Sequence, residues 1–244
     1  MAINVTIFNE FIHEKVKPAV AAIHPDGLHN TLKSFLESDE VNVTCVTLDM
    51  PEHGLTDEVL SNTDVLIWWG HTAHARVSDE VAEKVRQRVY AGMGFIPLHS
   101  AHHSKPFKLI LGTTGNLSWG GNQKGIVWNV NPTHPIAAGI PAHFEIFEEM
   151  YGEPFYIPKP DDLIFATWYE DGNIFRGGAT FTRGLGKIFY FHLGHEDCRS
   201  FFDPYARTII KNAVKWCAPI DRCDGFVTDG CIHQLEPVIK INDQ

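Results

Sequence analysis

Fourteen histidines in 244 residues invite a chemical reading first. Imidazole titrates near neutrality and ligates transition metals, so a group of them suits proton transfer or a metal centre. Many of these histidines stand just beyond apolar, strand-like runs. His71 and His74 follow Asp64–Trp69; His99, His102 and His103 follow Gly94–Leu98; His192, His195 and Glu196 end or follow the run that starts at Lys187. Glu10 and His13 come after the first such run and His53 after the second. His24, His29, His134, His143 and His233 fall outside this pattern and read as surface residues, with His134-Pro135 in a turn. Glu148-Glu149 has two readings: a solvated turn, or a carboxylate aimed at a cleft. Burial or a neighbouring carboxylate would raise the pKa of such a group. The tryptophans, Trp68 and Trp69 among them, read mainly as core, although one at the rim would offer a face to the C–H side of a sugar ring.

The elements that must position these residues alternate. Ile3–Phe8 is rich in β-branched residues and reads as a strand, Val41–Leu48 as a second, Asp64–Trp69 as a third and Gly94–Leu98 as a fourth. Between them lie amphipathic stretches, with Leu28, Leu32, Phe35 and Leu36 on one helical stripe and Val81, Val85 and Val89 on another opened by Ser78. The segment from Phe11 to Pro25 is interrupted by prolines and reads as a loop with some helix. Strand–helix alternation implies right-handed crossovers and an open, doubly wound, mostly parallel sheet with helices on both faces. After residue 110 the pattern loosens. Ile126–Val130, His143–Phe147, Leu163–Trp168, Ile174–Thr182 and Lys187–His192 are strand-like, and Asp203-Pro204 caps a final helix that stops before Pro219. Residues 1–219 read as a single α/β domain, and 220–244 as a tail with a strand-like Val238–Ile241. In an open sheet of this kind ligands bind beyond the carboxyl ends of the strands, so the histidine-bearing ends share one rim.

Composition narrows the function classes. A net charge of −10 argues against a nucleic-acid or anionic-membrane surface. No apolar run approaches the ~18 residues that a membrane span needs, and no signal sequence opens the chain, so the expected location is cytoplasmic. The five cysteines, Cys45, Cys198, Cys217, Cys223 and Cys231, form no CxxC pair, which fits neither a disulfide framework nor a four-cysteine zinc module. No phosphate-cradling glycine motif is present. Exposed Trp and Phe side chains would be consistent with a homo-oligomer.

Five ordered segments carry a resemblance: DVLIWWGHTAH (64–74), GFIPLHSAHHSKPF (94–107), HPIAAG (134–139), EEMYG (148–152) and KIFYFHLGHE (187–196). The chain resembles the trehalose-utilisation, or ThuA-like, family from about residue 3 to 219. The resemblance implies a flavodoxin-like fold similar to class I glutamine amidotransferases, with a strand–turn–helix elbow, and an association with breakdown of trehalose and related disaccharides through keto-sugars. It departs from the amidotransferases where they place a nucleophilic cysteine. The turn here reads His99-Ser100-Ala101-His102-His103, with Ala101 aligned to the nucleophile, while His195-Glu196 resembles the His–Glu partner.

Without a thiol, glutamine hydrolysis is not expected. Three imidazoles and a carboxylate would instead suit a divalent ion, zinc first, polarising a sugar hydroxyl or carbonyl. The expected metal ligands are His71, His99 and His195, with Glu10 or Glu149 completing the set or serving as base; His195, Glu149 and Glu10 are the proton-transfer candidates, and His13, His102 and Trp69 the substrate-binding ones. No HxxxH or HExxH spacing ties these residues together. A non-catalytic sugar-binding module and a serine hydrolase built on Ser100 and His195 are the competing readings.

Overall fold

The computed structural model describes residues 2–220. Nine strands form one sheet: β1 Ile3–Asn9, β2 Val41–Thr47, β3 Val65–Trp69, β4 Gly94–Leu98, β5 Ser118–Asn129, β6 His143–Gly152, β7 Asp162–Tyr169, β8 Ile174–Arg183 and β9 Gly186–Phe191. Their order is β2-β1-β3-β4-β9-β8-β7-β5-β6. From β2 to β9 every pairing is parallel; from β9 to β6 every pairing is antiparallel. The α/β class read from the sequence is therefore the observed one, with a parallel half extended by an antiparallel half.

Both faces of the parallel half are covered, so every residue of β3 and β4 is buried. Strand alternation divides them between two cores. Ile67 and Trp69 pack with Leu28, Leu32 and Leu36 of α3 (Leu28–Leu36) and with Ile209, Ile210 and Val214 of the last helix. Leu66 and Trp68 pack on the opposite side with Val81, Val85 and Val89 of the Asp79–Tyr90 helix and with Phe107 and Ile110. The proline-interrupted segment forms two short helices, α1 His13–Val16 and α2 Pro18–Ile23. The remaining helices are α4 Asp57–Ser61, α5 Asp79–Tyr90, α6 Lys105–Leu111 and α7 Pro204–Cys217.

Helix starts follow local chemistry. Ser78 Oγ accepts from Val81 N at 3.1 Å, and Asp203 Oδ1 accepts from the Tyr205 and Ala206 amides at 2.8 and 2.9 Å, with Pro204 at the first helical position. His134 plays the same part for a short 3-10 turn, its Nδ1 accepting from Ile136 N at 3.2 Å.

The antiparallel half departs from the sequence reading. β5 begins at Ser118 rather than Ile126, and β6 runs on to Gly152 rather than stopping at Phe147. The two strands pair from Ser118↔Gly152 to Trp128↔His143, with a shift between Gly120 and Asn122. Apart from the exposed Trp119, the added part of β5 is glycine and polar residues, which show no alternation; cross-strand pairing, not local propensity, makes it a strand. Glu148-Glu149 consequently lies inside a strand, not in a solvated turn. Among the described residues no helix is long and apolar enough to cross a membrane. The strand-like Val238–Ile241 and the group Cys223, Cys231 and His233 lie outside the described residues.

Candidate metal centre

The chain leaves β1 to form β2 on one side and returns across β1 to form β3 on the other. The connections diverge at the carboxyl ends of β1 and β3, where a doubly wound sheet opens a crevice. β3 is followed by Gly70-His71, β4 by His99, and β9 by His192 with His195 three residues on. Their rings converge: centroids of His71 and His99 are 5.9 Å apart, those of His71 and His195 5.2 Å, and those of His99 and His195 5.2 Å. Glu149 joins them from β6, and one donor atom from each of the four residues lies within 4.8 Å of every other.

Two of the rings are oriented by acceptors behind them. His99 Nδ1 lies 2.8 Å from the His192 carbonyl oxygen, which can only accept, so Nδ1 carries the hydrogen. Its Nε2 is left 3.1 Å from Glu149 Oε2 and 3.1 Å from the Tyr151 hydroxyl. His195 Nδ1 lies 2.6 Å from Asp197 Oδ1, leaving Nε2 3.6 Å from Glu149 Oε1. Burial pushes the Asp197 carboxyl up, but the Asn122 hydrogen bond and the His195 charge outweigh it and hold Asp197 low, as an acceptor. Orienting acceptors of this kind fix the tautomer and point a lone pair forward.

The carboxylates behave differently from expectation. Burial raises the Glu149 pKa, but the His99 hydrogen bond and the charges of His99, His195 and His71 pull harder, and the net direction is down. Glu149 is therefore held ionised, fit to be a ligand or base rather than an acid. Its neighbour Glu148 is fully buried and accepts from Gly194 N at 2.7 Å, His195 N at 3.1 Å, Glu149 N at 3.0 Å and Ser200 Oγ at 2.6 Å. It clamps β6 to the loop that carries His195.

The structure does not bring Glu10 to the cluster. Its oxygens accept from Thr72 N at 2.9 Å and Ala73 N at 3.0 Å, which shapes the turn after β3. Gly70 is required beside it, because a Cβ there would sit 2.8 Å from Glu10 Oε1. Trp69 is buried, its Nε1 donating to the Gly194 carbonyl at 2.8 Å, so it braces the His195 loop and offers no face to a sugar. His102 is also buried, with Nδ1 2.6 Å from the Gly115 carbonyl and its ring edge-on to Tyr151, one layer behind the cluster. His13 does reach the site: its ring meets His71 edge-on at 5.0 Å, and its Nδ1 is 2.5 Å from Glu196 Oε1.

The elbow after β4 is also reassigned. The residue in the left-handed backbone region is His99, at φ 48°, the first position after the strand, whereas Ala101 is buried in the core. A strained turn of this kind thrusts its side chain into the cleft, which is how a nucleophile elbow works. Here it presents an imidazole. The partner of His195 is likewise Asp197 rather than Glu196 as the ring-orienting carboxylate. Sequence reading missed Asp197, Tyr151 and the His192 carbonyl, and it singled out Glu148 only as one of an acidic pair, without its own task. The available signal was spacing: in a strand, positions 149 and 151 share a face, so extending β6 past Phe147 would have placed Tyr151 beside Glu149.

Comparison with known proteins agrees with this scaffold. A protein from Parabacteroides merdae described as ThuA-like superposes with a TM-score of 0.71 at 16% identity, covering 94% of each chain. A ThuA-like protein from Bacteroides uniformis gives 0.63 at 16% identity, over 88% of this chain and 91% of that one. A Thermoplasma acidophilum protein described as a GMP synthase component gives 0.53 at 14% identity, over 89% of this chain and 94% of that one. At these identities the likeness is one of fold, and it matches the amidotransferase-like class that the sequence resemblance implied. No curated protein matches the sequence. The family described as ThuA, trehalose utilisation, matches residues 4–217, nearly the whole chain. This protein belongs to the ThuA family.

Proposed function

We propose that this protein is a cytoplasmic enzyme of carbohydrate breakdown that acts on trehalose or a related keto-disaccharide at a centre where His71, His99 and His195 hold a divalent ion, zinc first. One observation carries the reading: the Nδ1 atoms of His99 and His195 are both committed to acceptors, so both Nε2 atoms are turned toward Glu149. Three imidazoles with a position left open is the donor set of a catalytic rather than a structural zinc site. When bound, such an ion polarises a sugar hydroxyl or carbonyl. A nitrogen that holds an ion cannot also carry a proton, so acid–base work falls to Glu149, not to His195. Glu149 takes the proton from a substrate hydroxyl. Tyr151, whose hydroxyl lies 3.1 Å from His99 Nε2 and whose pKa burial pushes well up, stays a neutral phenol whose proton is free to turn toward the substrate once His99 Nε2 holds the ion.

Amidotransferase-type chemistry finds no support here. Cys198 is the described cysteine nearest the centre, and burial, then the Glu148 and Asp197 charges, raise its pKa far above the usual thiol range. It is held as an unreactive thiol. Ser100 is buried and spends its hydroxyl on the Gly70 carbonyl at 2.7 Å, which does not favour a serine hydrolase. The cytoplasmic setting fits Cys45, Cys198 and Cys217, which are all free thiols.

The test is metal content and turnover together. Purified wild type should carry zinc or a similar ion and consume keto-trehalose; His99→Ala should lose one equivalent of ion and lower turnover at least ~100-fold. Metal-free wild type that leaves keto-trehalose unchanged would overturn the proposal in favour of a non-catalytic sugar-binding module.

A further inference from the structure

Glu196 forms one wall of this centre and is fully buried; His195 Nε2 stands 3.5 Å from its Oε2, and two further imidazoles crowd it closer without an aligned hydrogen bond. His13 Nδ1 is 2.5 Å from Oε1 and His71 Nδ1 is 3.0 Å from Oε2. At such separations an aligned ring N–H would make a strong charge-assisted hydrogen bond. Neither ring is aligned: His13 Nδ1, His71 Nδ1 and Glu196 Oε2 are all buried without a hydrogen-bond partner. Unsatisfied buried polar atoms are costly, and three in mutual contact call for a common explanation. Donor atoms that approach this closely while pointing past one another share a focus beside the line that joins them. Ligands ~2.0–2.2 Å from one ion stand a little over 3 Å apart, and one donor atom from each of His13, His71 and Glu196 lies within 4.8 Å of every other. The His13 and His71 rings are set at 89° to each other, so they approach that focus from different directions.

We propose that His13, His71 and Glu196 hold a second divalent cation beside the first, with His71 common to both. Serving two ions costs the ring its remaining N–H proton: only as the imidazolate, its proton released to water, does His71 offer a lone pair on both nitrogens. The inference rests on the proposed centre through this shared ring. Two nitrogens and one carboxylate oxygen select a borderline ion of the zinc class over magnesium or calcium, which prefer oxygen ligands. Lys17 places its ammonium 2.9 Å from Glu196 Oε1 and leaves Oε2 free; half-exposed, it can withdraw to water when the ion enters. The lysine is thus a competitor for the same carboxylate.

The experiment uses the full chain, stripped of metal and titrated with zinc and, in parallel, with cobalt. Wild type should bind two equivalents, and cobalt absorption should saturate in two resolved steps. His13→Ala and Glu196→Gln should each retain one equivalent, at the His99 position; His99→Ala should also retain one, at the His13 position. Lys17→Met should tighten the second step several-fold, and weaker binding there would overturn the competition argument. Circular dichroism verifies that each variant is folded, and the two-step cobalt titration of the wild type needs no variant at all. A single step in wild type, with one equivalent kept in His13→Ala and lost in His99→Ala, overturns the second position and leaves the first intact. The reverse pattern overturns the first and keeps the second.

Discussion

The two halves of the sheet supply the centre in opposite ways. The parallel half gives residues that lie past the ends of strands: His71 after β3, His99 after β4, His195 beyond β9. The antiparallel half gives residues from within a strand: Glu149 toward the imidazoles and Glu148 toward the His195 loop. In the first case the chemistry sits on turns that the sheet merely aims. In the second it sits on the pleat, and two adjacent carboxylates receive different tasks because successive side chains leave a strand on opposite faces. The three clustered imidazoles thus depend on one half for position and on the other for charge and bracing.

The comparison can be strained first at the seam. Glu148→Ala removes the one acceptor for four donors, Gly194 N, His195 N, Glu149 N and Ser200 Oγ. Removing a buried charged partner costs about 3–5 kcal/mol, and urea unfolding should show a loss of that size. A loss below ~1 kcal/mol would mean that the halves are joined by something else.

Acid should then strain the parallel half. Burial, reinforced by the charges of His103 and His71, lowers the His74 pKa to about 3; burial lowers that of His192, just beyond β9, to about 3. Between pH 6.5 and these values the unfolded chain takes up protons that the folded chain refuses. Stability is therefore full above pH 6.5 and falls as the pH drops, by about 2 kcal/mol between pH 6.5 and 5.5 for the two groups. The depressed carboxyls of Glu149, Glu196 and Asp197 act in the same direction, in the lower window below the ordinary carboxylate range. Thermal melts across this interval check the sign; a flat profile would show that these rings are solvated.

The smallest effect is expected on the outer side of the antiparallel half. Trp168 is 53% exposed in a strand whose neighbours Thr167 and Tyr169 are buried. Trp168→Ala should change stability by less than ~0.5 kcal/mol, since exposed side chains contribute little. A larger loss in urea unfolding would reveal that this aromatic surface is covered in solution.

What could be read from the chain divides along the same seam. Apolar runs such as Val65–Trp69 and Gly94–Leu98 declare buried parallel strands, and the histidines beyond them were marked by position alone. The capping residues Ser78 and Asp203 were equally plain, because their chemistry is local. The region Ser118–Gly125 gave no such pattern, since its strand exists by virtue of pairing with β6. With β6 cut short, neither Tyr151 nor the separate tasks of Glu148 and Glu149 could be seen. Glu10 failed for another reason: a carboxylate at a strand end was available to any nearby donor, and two backbone amides took it. Trp69 failed likewise, because its indole N–H was needed by the Gly194 carbonyl.

The shift between Gly120 and Asn122 decides which residue of β5 stands opposite Glu149 and hence how far β6 is advanced along its partner. Were β6 to slide by a single position, Glu148 would swing toward the imidazoles and Phe147 would enter the pocket where four donors await an anion. Insertions and deletions in this family should therefore collect in the connection 130–142 and spare the stretch from the bulge to Tyr151. Between those bounds a lone extra residue, whatever its chemistry, would be as damaging as the loss of one of the clustered imidazoles.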